Sequence, residues 1–133
     1  MPEALEAFFD GVSKSPSIEQ LIVHCTNMSS CVGSLVQVFK HSRSLQELDL
    51  QVNGLSDKNA ANHLSKVISL QFELKDSLKW KLGLRQESEV NLDTMGLKKV
   101  NFSKNWLGEK SAAQFANTIR QDNYLRSLEL QQN

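Results

Sequence analysis

The sequence predicts an α/β solenoid: short parallel strands on one side of each coil, a helix on the other, about four strands in all and one helical insertion. Three observations carry that prediction. An apolar motif of fixed spacing recurs along the 133 residues, a helical pattern follows its internal copies, and the first two copies and the last two begin 27 and 28 residues apart. The whole chain, 1–133, reads as one domain.

The motif is clearest at residues 45–55, where Leu45, Leu48, Leu50, Asn53 and Leu55 match LxxLxLxxNxL, the consensus of a leucine-rich repeat. Leu97, Val100, Phe102, Asn105 and Leu107 repeat it, and Leu125, Leu128, Leu130 and Asn133 open a fourth copy. A looser first copy runs through Ile18, Leu21, Val23, Thr26 and Met28, with Thr where the others carry Asn. The LxL core alternates through a short strand, so its leucines point inward while their neighbours face out. The asparagine that follows has an amide able to bond the turn backbone of the adjoining coil, and successive copies predict a ladder.

Each helix is justified by its face. Ala60, Ala61, Leu64, Val67 and Ile68 share one side of the segment beginning at Asp57. Ala112 and Ala113 stand 52 residues after Ala60 and Ala61, and the small side chains predict close approach of helix to sheet in both coils. Gly33, Ser34, Leu35, Val36 and Phe39 give the first copy its helix, and Leu5, Phe8, Phe9 and Val12 mark the helix of a preceding coil. A unit of 27 or 28 residues holds one strand and one full helix, the length of the ribonuclease-inhibitor type of repeat. The interval from Leu45 to Leu97 is 52 residues, too long for one unit, yet residues 70–96 contain no further LxxLxL block. An insertion at about 70–96 accounts for it: Leu64, Ile68, Phe72, Leu78 and Leu82 extend the preceding helix, and a polar loop from Arg85 to Asn91 returns the chain. The sequence opens on a helix and finishes on a strand, so both boundaries cut a coil. The expectation is a segment of a longer array, or self-association through uncapped ends.

Fifteen basic residues balance fifteen acidic ones, which leaves no global charge to draw the chain to nucleic acid or anionic lipid. No apolar run reaches the roughly 20 residues of a membrane span. Two cysteines, Cys25 and Cys31, make no disulfide scaffold and fit a reducing, cytoplasmic or nuclear setting. His24, His41 and His63 are scattered, and no nucleophile, base and orienting group share related positions. GxxxxGK[ST] and GxGxxG are absent. The expectation is a non-catalytic protein with no cofactor and no metal, acting as a scaffold for protein–protein interaction.

Two protein-binding surfaces are predicted. The residues flanking the inward leucines line the concave sheet: Gln20, Ile22 and His24; Glu47, Asp49 and Gln51; Lys99, Asn101 and Ser103; Ser127, Glu129 and Gln131. This row is polar and mixed in sign, with Ile22 as an apolar anchor. The insertion is the second, where Lys75, Lys79, Lys81 and Arg85 surround Leu78, Trp80 and Leu82; it docks an acidic partner, packs internally with solvated lysines, or engages a membrane surface or nucleic acid.

Between about residues 57 and 133 lie three runs beyond the generic repeat, Asp76 to Lys81, Leu92 to Leu97 and Leu125 to Gln132, and on these the stretch resembles the centrosomal seventy-eight-kilodalton leucine-rich-repeat protein family. Asp76-Ser77-Leu78-Lys79-Trp80-Lys81 is similar to that family's acidic-Ser-Leu-basic-aromatic-basic run between two repeats. Leu92-Asp93-Thr94-Met95-Gly96-Leu97 looks like its entry to the next strand, one residue shorter, and Leu125 to Gln132 like the strand after. Phe72 and Leu74 stand where the family has a tryptophan, and the stretch from Leu82 to Asn91 lacks its proline. The resemblance implies a protein of the centrosome, centriole and cilium basal body, connected with cilium biogenesis and binding centrosomal proteins and ubiquitin-ligase components. The competing expectation is a regulator of a small GTPase or of actin assembly, for which Arg43, Arg85, Arg120 and Arg126 are available without forming a motif.

Overall fold

A computed structural model describes residues 2–24, 28, 32–42, 44–85, 96–121 and 124–133. Helices and strands alternate among them: α1 (Pro2–Lys14), β1 (Gln20–Ile22), α2 (Val32–His41), β2 (Glu47–Asp49), α3 (Asp57–Arg85), β3 (Lys99–Asn101), α4 (Glu109–Gln121) and β4 (Ser127–Glu129). The strands form one parallel sheet in sequence order, β1-β2-β3-β4. Leu21, Leu48, Val100 and Leu128 are in register across it, and these are the central residues of the four LxL blocks. The chain is thus α/β and of leucine-rich-repeat type, with its coils stacked side by side.

The core is the set of motif positions. Leu45, Leu48, Leu50 and Leu55 are buried in the second coil, and Leu97, Val100, Phe102 and Leu107 in the third. Each such side chain contributes about 1.5–3 kcal/mol on leaving water. In the fourth coil Leu125, Leu128 and Leu130 are only partly buried. Helices cover the inward face of the sheet, α1 on α2, α2 on α3 and α3 on α4.

The asparagine ladder forms as predicted. Asn105 Oδ1 accepts from the Asn53 and Leu55 N–H groups at 2.9 and 3.2 Å, while its Nδ2 donates to Leu50 O and Phe102 O at 2.9 and 3.0 Å. Asn133 Oδ1 accepts in the same way from the Asn105 and Leu107 N–H groups. Asn53 Nδ2 donates to Val23 O at 2.7 Å. Thr26, the variant rung, lies outside the described residues. Val52, Lys104 and Gln132 immediately precede the rungs and share a left-handed backbone, φ 59°, 57° and 57°.

The insertion is helical rather than an extra coil. At 29 residues α3 outruns α2 and α4, with 10 and 13. Arg85 closes it; the rest of the predicted loop, 86–91, lies outside the described residues. One expectation about the helices is corrected. Ala60 and Ala61 are buried, but Ala112 and Ala113 are exposed. Helix α3 lies between α2 and α4, whereas α4 packs on α3 and turns Ser111 and Phe115 inward instead. Phe115 meets Phe102 with ring centroids 5.6 Å apart.

Candidate protein-binding faces

The first face is the side of the sheet away from the helices. Register aligns Gln20, Glu47, Lys99 and Ser127 in one row and Ile22, Asp49, Asn101 and Glu129 in the next. Apart from Ile22, the residues of these rows line a shallow depression between the strands. In the first row Gln20 Nε2 donates to Glu47 Oε2 at 2.8 Å, and Lys99 Nζ lies 3.8 Å from Glu47 Oε1. Both Glu47 and Lys99 keep substantial exposure, so the pair is weak in water. The second row is more polarised. Ile22 is 52% exposed, and Glu129 is exposed.

Asp49 is the best-held charge on the face. Its Oδ1 is 2.8 Å from His24 Nε2 and accepts from the Gln51 N–H at 3.1 Å, while Gln51 Nε2 donates to both carboxylate oxygens. Partial burial pushes this carboxyl up, but the bonds from His24 and Gln51 outweigh it and hold it below its ordinary value of 3.8. Asn101, aligned with Asp49, makes the same local turn by accepting from the Ser103 N–H at 3.0 Å.

Ser103 departs from the expected arrangement. It is 2% exposed, and its hydroxyl accepts from the Gln131 N–H at 2.9 Å. Beyond β3 the strand alternation lapses, and the turn carries Ser103 under the next coil. Gln131, by contrast, is exposed.

The second face lies along α3 and divides into two. Lys75, expected to be solvated, is 2% exposed. Its Nζ donates to Leu97 O at 3.3 Å and lies 4.9 Å from the Tyr124 ring centroid. One turn earlier Gln71 is also buried, with Nε2 donating to Phe39 O and Ser42 O at 2.6 and 3.1 Å and Oε1 accepting from the Leu97 N–H at 3.0 Å. The root of the insertion is therefore a clamp joining the end of α2 to the approach of β3. Sequence reasoning missed it, although Leu64, Ile68, Gln71, Lys75 and Leu78 follow a helical period that names the inward side. Lys79, Trp80 and Lys81 are all exposed, Trp80 by 68%. Two residues after the half-buried Leu78, Trp80 is rotated about 200° around the helix, which points it to solvent. Of the readings of the insertion, internal packing holds at Lys75, and Trp80 stands outside it.

The parallel sheet, the coil-per-strand arrangement and the asparagine ladder define the class as a leucine-rich-repeat-type solenoid. In three dimensions 95% of the chain matches 63% of the tropomodulin C-terminal domain from Caenorhabditis elegans, with a TM-score of 0.67 and 12% sequence identity, a likeness of fold. In sequence the chain is similar to the centrosomal protein of 78 kDa from Mus musculus, 29% identical over 131 residues, which is 96% of this chain and 16% of that protein. The Homo sapiens centrosomal protein of 78 kDa is 29% identical over 125 residues, covering 92% of this chain and 18% of its own length. These relatives carry the family name that the runs at 76–81 and 92–97 resemble. The chain spans less than a fifth of either relative, and no family model matches. No helix among the described residues is long and apolar enough to cross a membrane.

Proposed function

We propose that this chain is a repeat module of a centrosome-related protein and works as a non-catalytic scaffold, binding other proteins through the open, concave face of its sheet. The observation that carries the reading is similarity to two centrosomal proteins across more than nine-tenths of the chain. The face itself supports it: four aligned strands present charged and amide side chains beside one exposed isoleucine, a composition suited to a polar protein interface with an apolar anchor. On this reading residues 1–133 act as one domain of ribonuclease-inhibitor type, with a full helix in each coil. Centriole and basal-body residence, a part in cilium biogenesis, and centrosomal or ubiquitin-ligase partners are proposals of the same kind. Regulation of a GTPase or of actin assembly is not favoured.

The test is localisation of the fluorescently tagged chain against a centrosomal marker, with and without Glu47→Lys and Asp49→Lys. The intact chain is expected to concentrate at centrosomes and the charge-reversed chain to disperse while keeping its circular dichroism. A diffuse intact chain would sink the centrosomal reading. Unchanged concentration of the variant would remove the sheet face from it.

A further inference from the structure

We propose that two copies of this chain stack head to tail, the β4 and α4 side of one receiving the α1 and β1 side of the other, so that β4 and the second copy's α1 together make one complete coil. The inference is separate from any role of the concave face. It starts from two half-coils. Among the described residues β1 and β4 are the outer strands of the sheet, β4 is followed by no helix, and α1 has no strand of its own coil beside it. Yet α1 sits as a repeat helix does: it ends at Lys14 before β1 starts at Gln20, the same offset that separates His41 from Glu47 and Gln121 from Ser127. Counted back from the strand that follows, Phe8 holds the place of Leu35 and Phe115. Those two are 0% and 1% exposed, whereas Phe8 is 51% exposed. Phe115 is buried against Phe102 of its own coil, and the counterpart of Phe102 in the fourth coil is Leu130, left only partly buried. Phe8 lacks a strand to cover, and Leu130 lacks a helix to cover it.

Continuity with the coil boundaries already formed inside the chain selects a second copy as the occupant. At those boundaries Gln46 O accepts from the Lys98 and Lys99 N–H groups at 2.8 and 3.1 Å, and Lys98 O from the Arg126 and Ser127 N–H groups at 2.7 and 3.1 Å. In the stack Arg126 O accepts in the same way from the second copy's Glu19 and Gln20 N–H groups, and the Leu130 N–H donates to its Ile22 O as the Phe102 N–H donates to Glu129 O. That register also sets Arg126 beside the second copy's Glu19, two exposed side chains of opposite charge. Behind the sheet, Ala4, Ala7 and Gly11 are exposed on α1 and Ala112, Ala116 and Ile119 on α4, at helical spacing and small enough for the two helices to approach closely. Exposed charges of both signs border these faces, Glu3, Asp10 and Lys14 on α1 and Glu109, Lys110 and Arg120 on α4. Burial and backbone hydrogen bonds, rather than net charge, therefore hold the seam. The contact joins different patches on the two copies, so further copies add at either end.

Light scattering and sedimentation of the intact 133-residue chain test the proposal. The mass is expected to rise with protein concentration beyond that of a pair, and to persist as salt is added. Phe8→Glu and Ala116→Glu each place a charge in the seam at opposite ends of the molecule, and either alone should weaken association by about tenfold or more. An equimolar mixture of the two should form pairs and stop there, because each variant keeps the end that the other has lost; a misfolded variant would not pair. Arg126→Glu should weaken association several-fold, and adding Glu19→Arg should restore it. A chain that stays monomeric at every concentration, or a mixture that fails to pair, would overturn the inference and leave the outer edge of β4 to a coil of some other chain. If such a monomer still reaches centrosomes through its concave face, the proposed function stands and head-to-tail stacking alone is lost.

Discussion

Val52 is held at φ 59° although it is β-branched, and the left-handed region costs such a residue about 1–2 kcal/mol. Its backbone has little choice, because the next residue, Asn53, is bonded through its N–H to Asn105 and through its amide to Val23. Val52→Asn keeps the turn and relieves the conformational cost, while a side chain already 42% exposed gives up little packing. Stability should rise by about 1 kcal/mol, several degrees in Tm for a chain this size. An unchanged or lowered midpoint in thermal unfolding would show that the turn is unstrained. The rungs Asn53, Asn105 and Asn133 were legible in the sequence because identical chemistry recurs at identical spacing. The left-handed position before them was not, since Val52, Lys104 and Gln132 share a place in the coil and nothing else.

At the scale of elements, α3 combines a repeat helix with an insertion, and Gly96 is where that insertion rejoins the sheet. A side chain there would be strained at φ 72° and would place its Cβ 2.5 Å from Lys75 Cε and 2.9 Å from Gln71 Oε1. Gly96→Ala is therefore expected to destabilise the chain by about 2–4 kcal/mol, from left-handed strain together with overpacking. Denaturant unfolding checks this, and a loss below about 0.5 kcal/mol would mean that the clamp yields freely. The helical character of the insertion was legible from apolar spacing alone. Its interior was not, because glutamine and lysine read as solvent residues until the backbone groups that they satisfy are brought together. Leu97, Phe39 and Ser42 reach Gln71 from separate parts of the chain, and no local pattern announces such a meeting.

Across the whole molecule, order is passed from one coil to the next, and Asp57 shows how. Although it opens α3, its Oδ1 accepts from the Gly108 and Ser111 N–H groups at 2.8 and 3.1 Å and from the Ser111 hydroxyl, capping the following helix rather than its own. The Ser111 hydroxyl first, and then the Gly108 N–H, hold this carboxyl below its ordinary 3.8. A lowered folded value means that the contribution is complete above 3.8 and is lost as pH falls through the folded value. Asp57→Asn should accordingly lower Tm near neutral pH, and the gap from the parent chain should narrow as the medium is acidified below 3.8. A gap that stays constant in acid would show that the charge takes no part. Sequence periodicity foretold the stacked coils and their inward leucines, because every coil solves the same burial problem. It foretold neither this cross-coil cap nor the burial of Ser103, since both arise only where one coil overlies another.

The continuity of α3 has a mechanical consequence. One uninterrupted rod runs from the cap at Asp57, past the clamp, to the solvent-facing indole, with no hinge residue described along it. Whatever grips the outer end of this lever also sets the heading of the β-sheet, so force and orientation at one extremity are felt at the other without any change of shape between them.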